Sequence, residues 1–179
     1  MIELICGPMS SGKTTEMLCR IKRAQIAQIP TILLKPATDD RAEGAVTTHD
    51  AQTVLCITIP ASERNLKGVI GNAKVVGIDE IQFFKESIVS QIRELSDAGI
   101  RFVIAGLDLD FNADPFPVTM HLLAVAERVR KLSAVCVNCG SDAPRSYRKV
   151  RAQQTVLVGG LDTYEARCVA CWHGARVRP

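Results

Sequence analysis

No stretch of this sequence approaches the ~18 consecutive apolar residues that a membrane-crossing helix needs. Its first residues also lack a basic segment leading into an uninterrupted apolar one, so neither a targeting peptide nor a span is expected and the reading is a soluble, cytoplasmic protein. Aromatic residues are scarce: five Phe, two Tyr and one Trp. In the C-terminal segment only Tyr147, Tyr164 and Trp172 could stack on bases, fewer than a surface that tracks single-stranded nucleic acid would use. His49, His121 and His173 are isolated, so no histidine cluster is available for a metal, and a surface or hydrogen-bonded role is the better reading of each. Internal repeats and low-complexity segments are absent.

Cysteine, by contrast, is plentiful. Seven cysteines in a chain of cytoplasmic character read as thiols and metal ligands more readily than as disulfides. Four of them form two CxxC pairs, Cys136-Val-Asn-Cys139 and Cys168-Val-Ala-Cys171, with 28 residues between the inner cysteines. That spacing is longer than in the commonest ribbons but allows two knuckles to close one tetrahedral Zn²⁺ site, and four soft thiolates favour a closed structural site. Cys6, Cys19 and Cys56 lie in apolar patterns and read as buried thiols.

The 179 residues suit one α/β domain with a small appendage, and 47% hydrophobic content is ordinary for a globular chain. Residues 1–131 carry 15 Lys/Arg against 16 Asp/Glu, and residues 132–179 carry 7 against 3, so the net +3 arises from −1 and +4. A zinc ion held by four thiolates contributes −2 and halves the C-terminal excess, which weakens a nucleic-acid reading. The expected organisation is a domain over 1–131 and a zinc-bearing segment over 132–179.

Short apolar runs at 2–6, 31–35, 54–59, 74–79 and 101–108 alternate with helical patterns, which predicts a parallel sheet flanked by helices. The first helix carries Met17, Leu18, Ile21 and Ala24 on one face and must stop before Pro30. A second is expected over about Glu86 to Ala98, closed by Gly99, and a third over about Val118 to Lys131. The polar stretches 35–52 and 140–154 read as long loops, either functional or plain solvated linkers.

The segment Gly7-Pro8-Met9-Ser10-Ser11-Gly12-Lys13-Thr14-Thr15 fits G-x-x-x-x-G-K-[ST], between a strand-like run and a helix-like one. Its backbone amides and the following helix dipole are suited to phosphate oxygens, with Lys13 on the β- and γ-phosphates of ATP and the Thr14 hydroxyl on Mg²⁺. The second signal is Val-Val-Gly-Ile ending in Asp79 and Glu80, which places two acids where an α/β sheet has its ligand crevice. Asp79 would associate with the metal. Glu80 would either polarise water, as in an ATPase, or accept the proton of a bound hydroxyl, as in a small kinase. Gln82, Phe83 and Phe84 beside the acids read equally as a slot for a flat base or as core packing.

Taken together, these segments resemble the cytosolic, type II thymidine kinases. "GPMSSGKT", "DDR", "THD", "IDEIQFF", "LDLDFNADPF", the paired CxxC motifs and "VGGLDTYEARC" occur in that family's order and spacing over about residues 1 to 172. The resemblance implies a P-loop NTPase-like α/β sheet with a C-terminal zinc ribbon. It also implies transfer of the γ-phosphoryl group of MgATP to the 5′-hydroxyl of thymidine. In that reading Glu80 is the general base, Lys13 and Thr14 contact phosphate and Mg²⁺, and Asp79 is the metal-associated acid. Asp39 and Arg41 form a pair before a loop, with Arg41 steadying phosphate charge. Met9, Gln82, Phe83, Leu107 and Phe111 surround the nucleoside, while Ser146, Thr155, Leu157, Val158, Gly159 and Tyr164 belong to a lasso that the ribbon anchors over it. A homotetramer inhibited by thymidine triphosphate is implied, with neither membrane nor nucleic acid as partner. Ala42, Ser146 and Asn112-Ala113-Asp114 depart from residues that the family more often carries, and none is a catalytic position. The alternative from another class is a nucleic-acid-dependent ATPase whose zinc ribbon grips single strands.

Overall fold

The computed structural model describes residues 1–37, 45–47, 53–150 and 162–176. In chain order the elements are β1 (Ile2–Cys6), α1 (Lys13–Ile26), β2 (Thr31–Pro36), β3 (Ala45–Thr47), β4 (Thr53–Leu55) and β5 (Ile57–Ile59). There follow α2 (Leu66–Ile70), β6 (Val75–Ile78), a 3₁₀ turn (Ile81–Phe83), α3 (Ser87–Asp97), β7 (Arg101–Gly106), α4 (Pro117–Val125) and β8 (Arg128–Lys131). The C-terminal part holds β9 (Ala134–Val135), β10 (Asp142–Ala143), β11 (Arg145–Arg148), β12 (Tyr164–Arg167) and α5 (Val169–Arg176). None of the described helices is long and apolar enough to cross a membrane.

Six strands form one sheet in the order β5-β2-β6-β7-β1-β8, and every pairing in it is parallel. Its central strands read as continuous apolar runs because both faces are covered. Strand alternation divides β7 between two cores: Val103 and Ala105 pack with Met17, Leu18, Ile21 and Ala24 of α1, whereas Phe102 and Ile104 pack with Ile88 and Ile92 of α3 and Leu122 of α4. The stripe expected on the first helix is therefore core. Glu3 shares the α1 side of β1 with Ile5 and is buried. Arg20 reaches one of its oxygens at 2.7 Å and Arg101 the other at 2.6 Å. Burial pushes the Glu3 carboxyl up, but the hydrogen bonds and charges of Arg101 and Arg20 outweigh it and hold it below the ordinary 4.5.

Four local expectations are corrected. The third helix ends at Val125, not near Lys131: Ala126 turns extended, Glu127 N–H donates to the Ile2 carbonyl, and Arg128–Lys131 pair with β1. The edge of buried β1 would otherwise carry unpaired backbone groups, a stronger demand than the helical pattern of a polar segment. The run 54–59 is split at Cys56, β4 pairing antiparallel with β3 and β5 parallel with β2. The 140–154 stretch contains β10 and β11, and β11 pairs antiparallel with β12. Cys19 is exposed on α1, while Cys6 and Cys56 are buried as expected.

Candidate active site and metal centre

Because all six strands point the same way, the segments that leave β1, β6 and β7 emerge at one edge, with Cys6 level with Gly106 and Ile78 level with Ile104. The phosphate loop is the first of these segments. Gly7 has φ of 145°, and a Cβ there would lie 2.3 Å from the Leu132 carbonyl oxygen, so only glycine lets β1 turn away beside the chain leaving β8. Gly12 caps α1 in the left-handed region, and α1 then begins at Lys13. Lys13 Nζ donates to the Pro8 carbonyl at 2.6 Å and Ser11 Oγ to the same oxygen at 2.8 Å, closing the loop on itself. Burial lowers the Lys13 ammonium from its ordinary value, against the pull of Glu80, Asp79 and Asp108.

Opposite this loop, Thr14 Oγ1 lies 3.1 Å and 3.3 Å from the two oxygens of Asp79 at the end of β6. Burial, and next the charge of Glu80, push the Asp79 carboxyl up to about 7. A hydroxyl and a carboxylate converging on one point beside a phosphate loop are a donor set for a hard divalent cation, so the two residues fit Mg²⁺. Glu80 occupies the left-handed region at φ 51°, ψ 43°, an uncommon conformation for a residue with a side chain. Its amide donates to Asp79 Oδ1 at 3.0 Å, and its Oε2 accepts from Gln82 Nε2 at 2.5 Å. Phe84 is core, whereas Phe83 is half-buried, which separates the two roles that the sequence left open.

The third segment follows β7. Leu107 N–H donates to Gln82 Oε1 at 2.9 Å, and the Leu107 carbonyl accepts from Thr119 Oγ1 at 2.8 Å. Asp110 then closes a tight turn by accepting from the amides of Asn112 and Asp114, with Ala113 at φ 72°. Phe111 leaves this turn half-buried, and the Arg148 guanidinium lies 3.6 Å from its ring centroid, a close cation–π stack. From the C-terminal part, buried Ser146 accepts the Met9 amide at 3.0 Å, joining β11 to the phosphate loop. Buried Tyr164 stands opposite Arg148 across the β11–β12 pair. The structure thus brings together Gly7 to Thr15, Asp79, Glu80, Gln82, Phe83, Leu107, Phe111, Ser146 and Tyr164. Asp39, Arg41, Thr155, Leu157, Val158 and Gly159 lie outside the described residues.

Two further residues were not singled out from the sequence. Asp108 is buried, and the Lys131 ammonium, 2.8 Å away, pairs with its carboxylate, whose charge also acts on Lys13. Its place directly after an apolar strand was the available signal. Arg148 had no comparable signal, since the stack on Phe111 joins segments 37 positions apart.

The Sγ atoms of Cys136, Cys139, Cys168 and Cys171 lie within 4.8 Å of one another, a set that could hold a metal ion. Cys139 Sγ is 3.6 Å from that of Cys168 and 3.7 Å from that of Cys171. Sulfurs at the corners of a tetrahedron about a zinc ion at ~2.3 Å stand about 3.8 Å apart, so the cluster fits the ion. Backbone amides aimed at the Cys136 sulfur, first that of Cys168, bring its thiol down to about 6, while the crowding sulfurs of Cys168 and Cys139 push Cys171 up to about 12. Held as thiolates, four sulfurs this close would need a cation between them.

Residues 1–172 match the family model described as thymidine kinase. The chain is similar to a thymidine kinase of Chloroflexus aurantiacus, 42% identical over 184 residues covering 97% of this chain and 95% of the relative. It is similar also to thymidine kinases of Thermococcus kodakarensis, 42% identical over 179 residues, and Deinococcus deserti, 43% identical over 184 residues. Each of these alignments covers 93% of this chain and 91% of the relative.

Proposed function

The chain belongs to the thymidine kinase family, and from that premise we propose that it moves the γ-phosphoryl group of ATP to the 5′-hydroxyl of thymidine, with Glu80 as general base. The observation that carries the residue assignment is the convergence at one sheet edge of the phosphate loop, the Asp79–Glu80 pair and the Ser146–Met9 hydrogen bond. The phosphate-loop amides and Lys13 hold the phosphate chain, and Lys13 exchanges its bond to Pro8 for phosphate oxygens. Thr14 and Asp79 hold Mg²⁺, which supplies charge neutralisation to the phosphates when bound. The 5′-hydroxyl proton passes to the Glu80 carboxylate as the oxygen bonds to the γ-phosphorus. The bond from that phosphorus to the β–γ bridging oxygen breaks, and ADP leaves with the electron pair.

Phe83, Phe111, Leu107 and Met9 offer apolar faces to the base, and Ser146 and Tyr164 complete the nucleoside site. The assignments of Asp39 and Arg41 to phosphate, and of Thr155, Leu157, Val158 and Gly159 to the nucleoside lasso, rest on the family resemblance. The same holds for the homotetramer, for thymidine triphosphate as feedback inhibitor and for a cytoplasmic location. The proposed domain boundary lies after residue 131, supported by the large sheet ending with β8 and the small sheets starting at Ala134. One structural zinc joins the two CxxC knuckles.

Three measurements test this reading. ADP release from ATP should depend on thymidine and not on DNA; dependence on DNA would support the ATPase alternative. Glu80→Gln should lower kcat by ~10²-fold or more with little change in nucleoside binding, and near-normal turnover would remove Glu80 from the base role. Among acceptors, thymidine should lead in kcat/KM and deoxyuridine should follow, because a missing methyl costs only ~1–3 kcal/mol. Deoxyadenosine and thymidine monophosphate should hardly react.

A further inference from the structure

We propose that Gln82 is a positioning residue for Glu80, spending its side-chain amide on the carboxylate that accepts the proton instead of reading the nucleoside base. The inference rests on Glu80 being the base. Gln82 is buried, and both ends of its amide are engaged: Nε2 donates to Glu80 Oε2 at 2.5 Å, and Oε1 accepts the Leu107 amide at 2.9 Å. The two bonds fix each other. A backbone N–H can only donate, so Leu107 requires the carbonyl oxygen of Gln82 on its side, and the NH₂ group must then face Glu80.

The packing leaves this arrangement little freedom. Gly106, the last residue of β7, lies so close beneath the turn that a Cβ there would approach Gln82 Oε1 to 2.7 Å and Ile81 Cγ2 to 2.5 Å. Glu80 itself is held in the left-handed region by the bond from its amide to Asp79, which aims its side chain back along the turn that carries Gln82. Oε2 is thereby occupied. Among the described residues nothing donates to Oε1, so this oxygen is the one presented to an incoming hydroxyl. Leu107 begins the segment that leads to Phe111, so Gln82 also references the base to the pocket wall: a shift of that wall moves the Leu107 amide, then Gln82, then the Glu80 carboxylate. Proton transfer requires heavy atoms within about 3 Å of each other, and an unheld glutamate would sample rotamers outside that range.

The test compares four variants of the full, zinc-loaded chain: Gln82→Met, Gln82→Glu, Glu80→Gln and the double variant Glu80→Gln/Gln82→Met. Gln82→Met keeps the length and removes both hydrogen bonds, whereas Gln82→Glu keeps an oxygen for Leu107 and sets a carboxylate against Glu80. Each single Gln82 variant should lower kcat about tenfold or more while KM for thymidine and for ATP stays within about threefold. In the Glu80→Gln background, Gln82→Met should change kcat by less than about twofold, since a residue that acts through the carboxylate has nothing left to position. A role confined to folding would instead persist in that background and multiply the loss. The proposal is overturned by that multiplicative loss, by unchanged kcat in the single Gln82 variants, or by losses that fall in KM alone, which would return Gln82 to nucleoside binding. Should Gln82→Met fail to fold, as judged by thermal midpoint and zinc content, Gln82→Glu decides by its kcat and KM. Near-normal turnover of Glu80→Gln refutes the base assignment itself, an outcome distinct from a normal Gln82→Met beside a disabled Glu80→Gln.

Discussion

The sheet and the C-terminal ribbon hold themselves together by different means. The sheet has two extensive apolar cores, one on each face, with Leu4, Ile5, Met17, Ile78, Ile92, Phe102 and Ile104 fully buried. The ribbon buries a cluster of small residues, Ala134, Cys136, Ala143 and Ala166, against Cys168 and Cys171, between two-stranded pairings. Apart from Tyr164 and Trp172 the ribbon buries few large side chains, and two-stranded sheets are marginal alone, so a metal held by the four cysteines would contribute to the ribbon what burial contributes to the sheet. The contacts between them include the Ser146–Met9 bond and the Arg148–Phe111 stack, both beside the candidate site.

Removing the metal should give the largest effect. Cys139→Ser or a strong chelator takes away a contribution on the order of 10 kcal/mol to ribbon folding. Zinc content should fall from about one per chain, and amide exchange over β9 to β12 should lose its protection while β1, β6 and β7 keep theirs. A zinc-free chain with a protected ribbon and full activity would erase the distinction between the regions. The reciprocal experiment is Leu4→Ala, which opens a cavity in the larger core and should cost about 2–5 kcal/mol in urea unfolding. Zinc content should not change; if it falls with the midpoint, the two regions unfold as one unit.

Within the sheet, Glu3 is an ionic exception to apolar burial. Its carboxyl is held below 4.5, so its contribution is full above that value and is lost as pH falls through the lower folded one. Glu3→Gln should therefore cost about 2 kcal/mol at neutral pH, and the difference from wild type should shrink in acid below about pH 4. A difference independent of pH would show that Glu3 acts by shape alone. The smallest change is at the seam: Ser146→Ala removes the acceptor of the Met9 amide and should lower stability by about 1 kcal/mol. Exchange protection should drop first at Met9, and an equal drop throughout the sheet would deny that the bond is local.

The linear pattern was enough for the parallel α/β layout, the phosphate loop, the acidic pair and the four-cysteine centre, because each is set by contiguous spacing: an apolar run, a glycine-lysine turn, a CxxC knuckle. The stripe Met17, Leu18, Ile21 and Ala24 was legible for the same reason, as one face of a helix. Where β1 finds its outer partner was not legible. The segment 128–131 is polar and continues a helical pattern, and only the open edge of a buried strand makes it a strand. Nor could spacing reveal that Gln82 links Glu80 to Leu107, that Lys131 balances Asp108, or that Arg148 stacks on Phe111. Most of those contacts join segments far apart in the chain, and only the folded arrangement of the sheet edge and the β11–β12 pair brings them within 4 Å. The sequence by itself determined which chemical groups the protein carries and on which local elements. The tertiary structure decided which of them meet, because hydrogen bonds and ion pairs act over a few ångströms, and chain separation does not encode such distances.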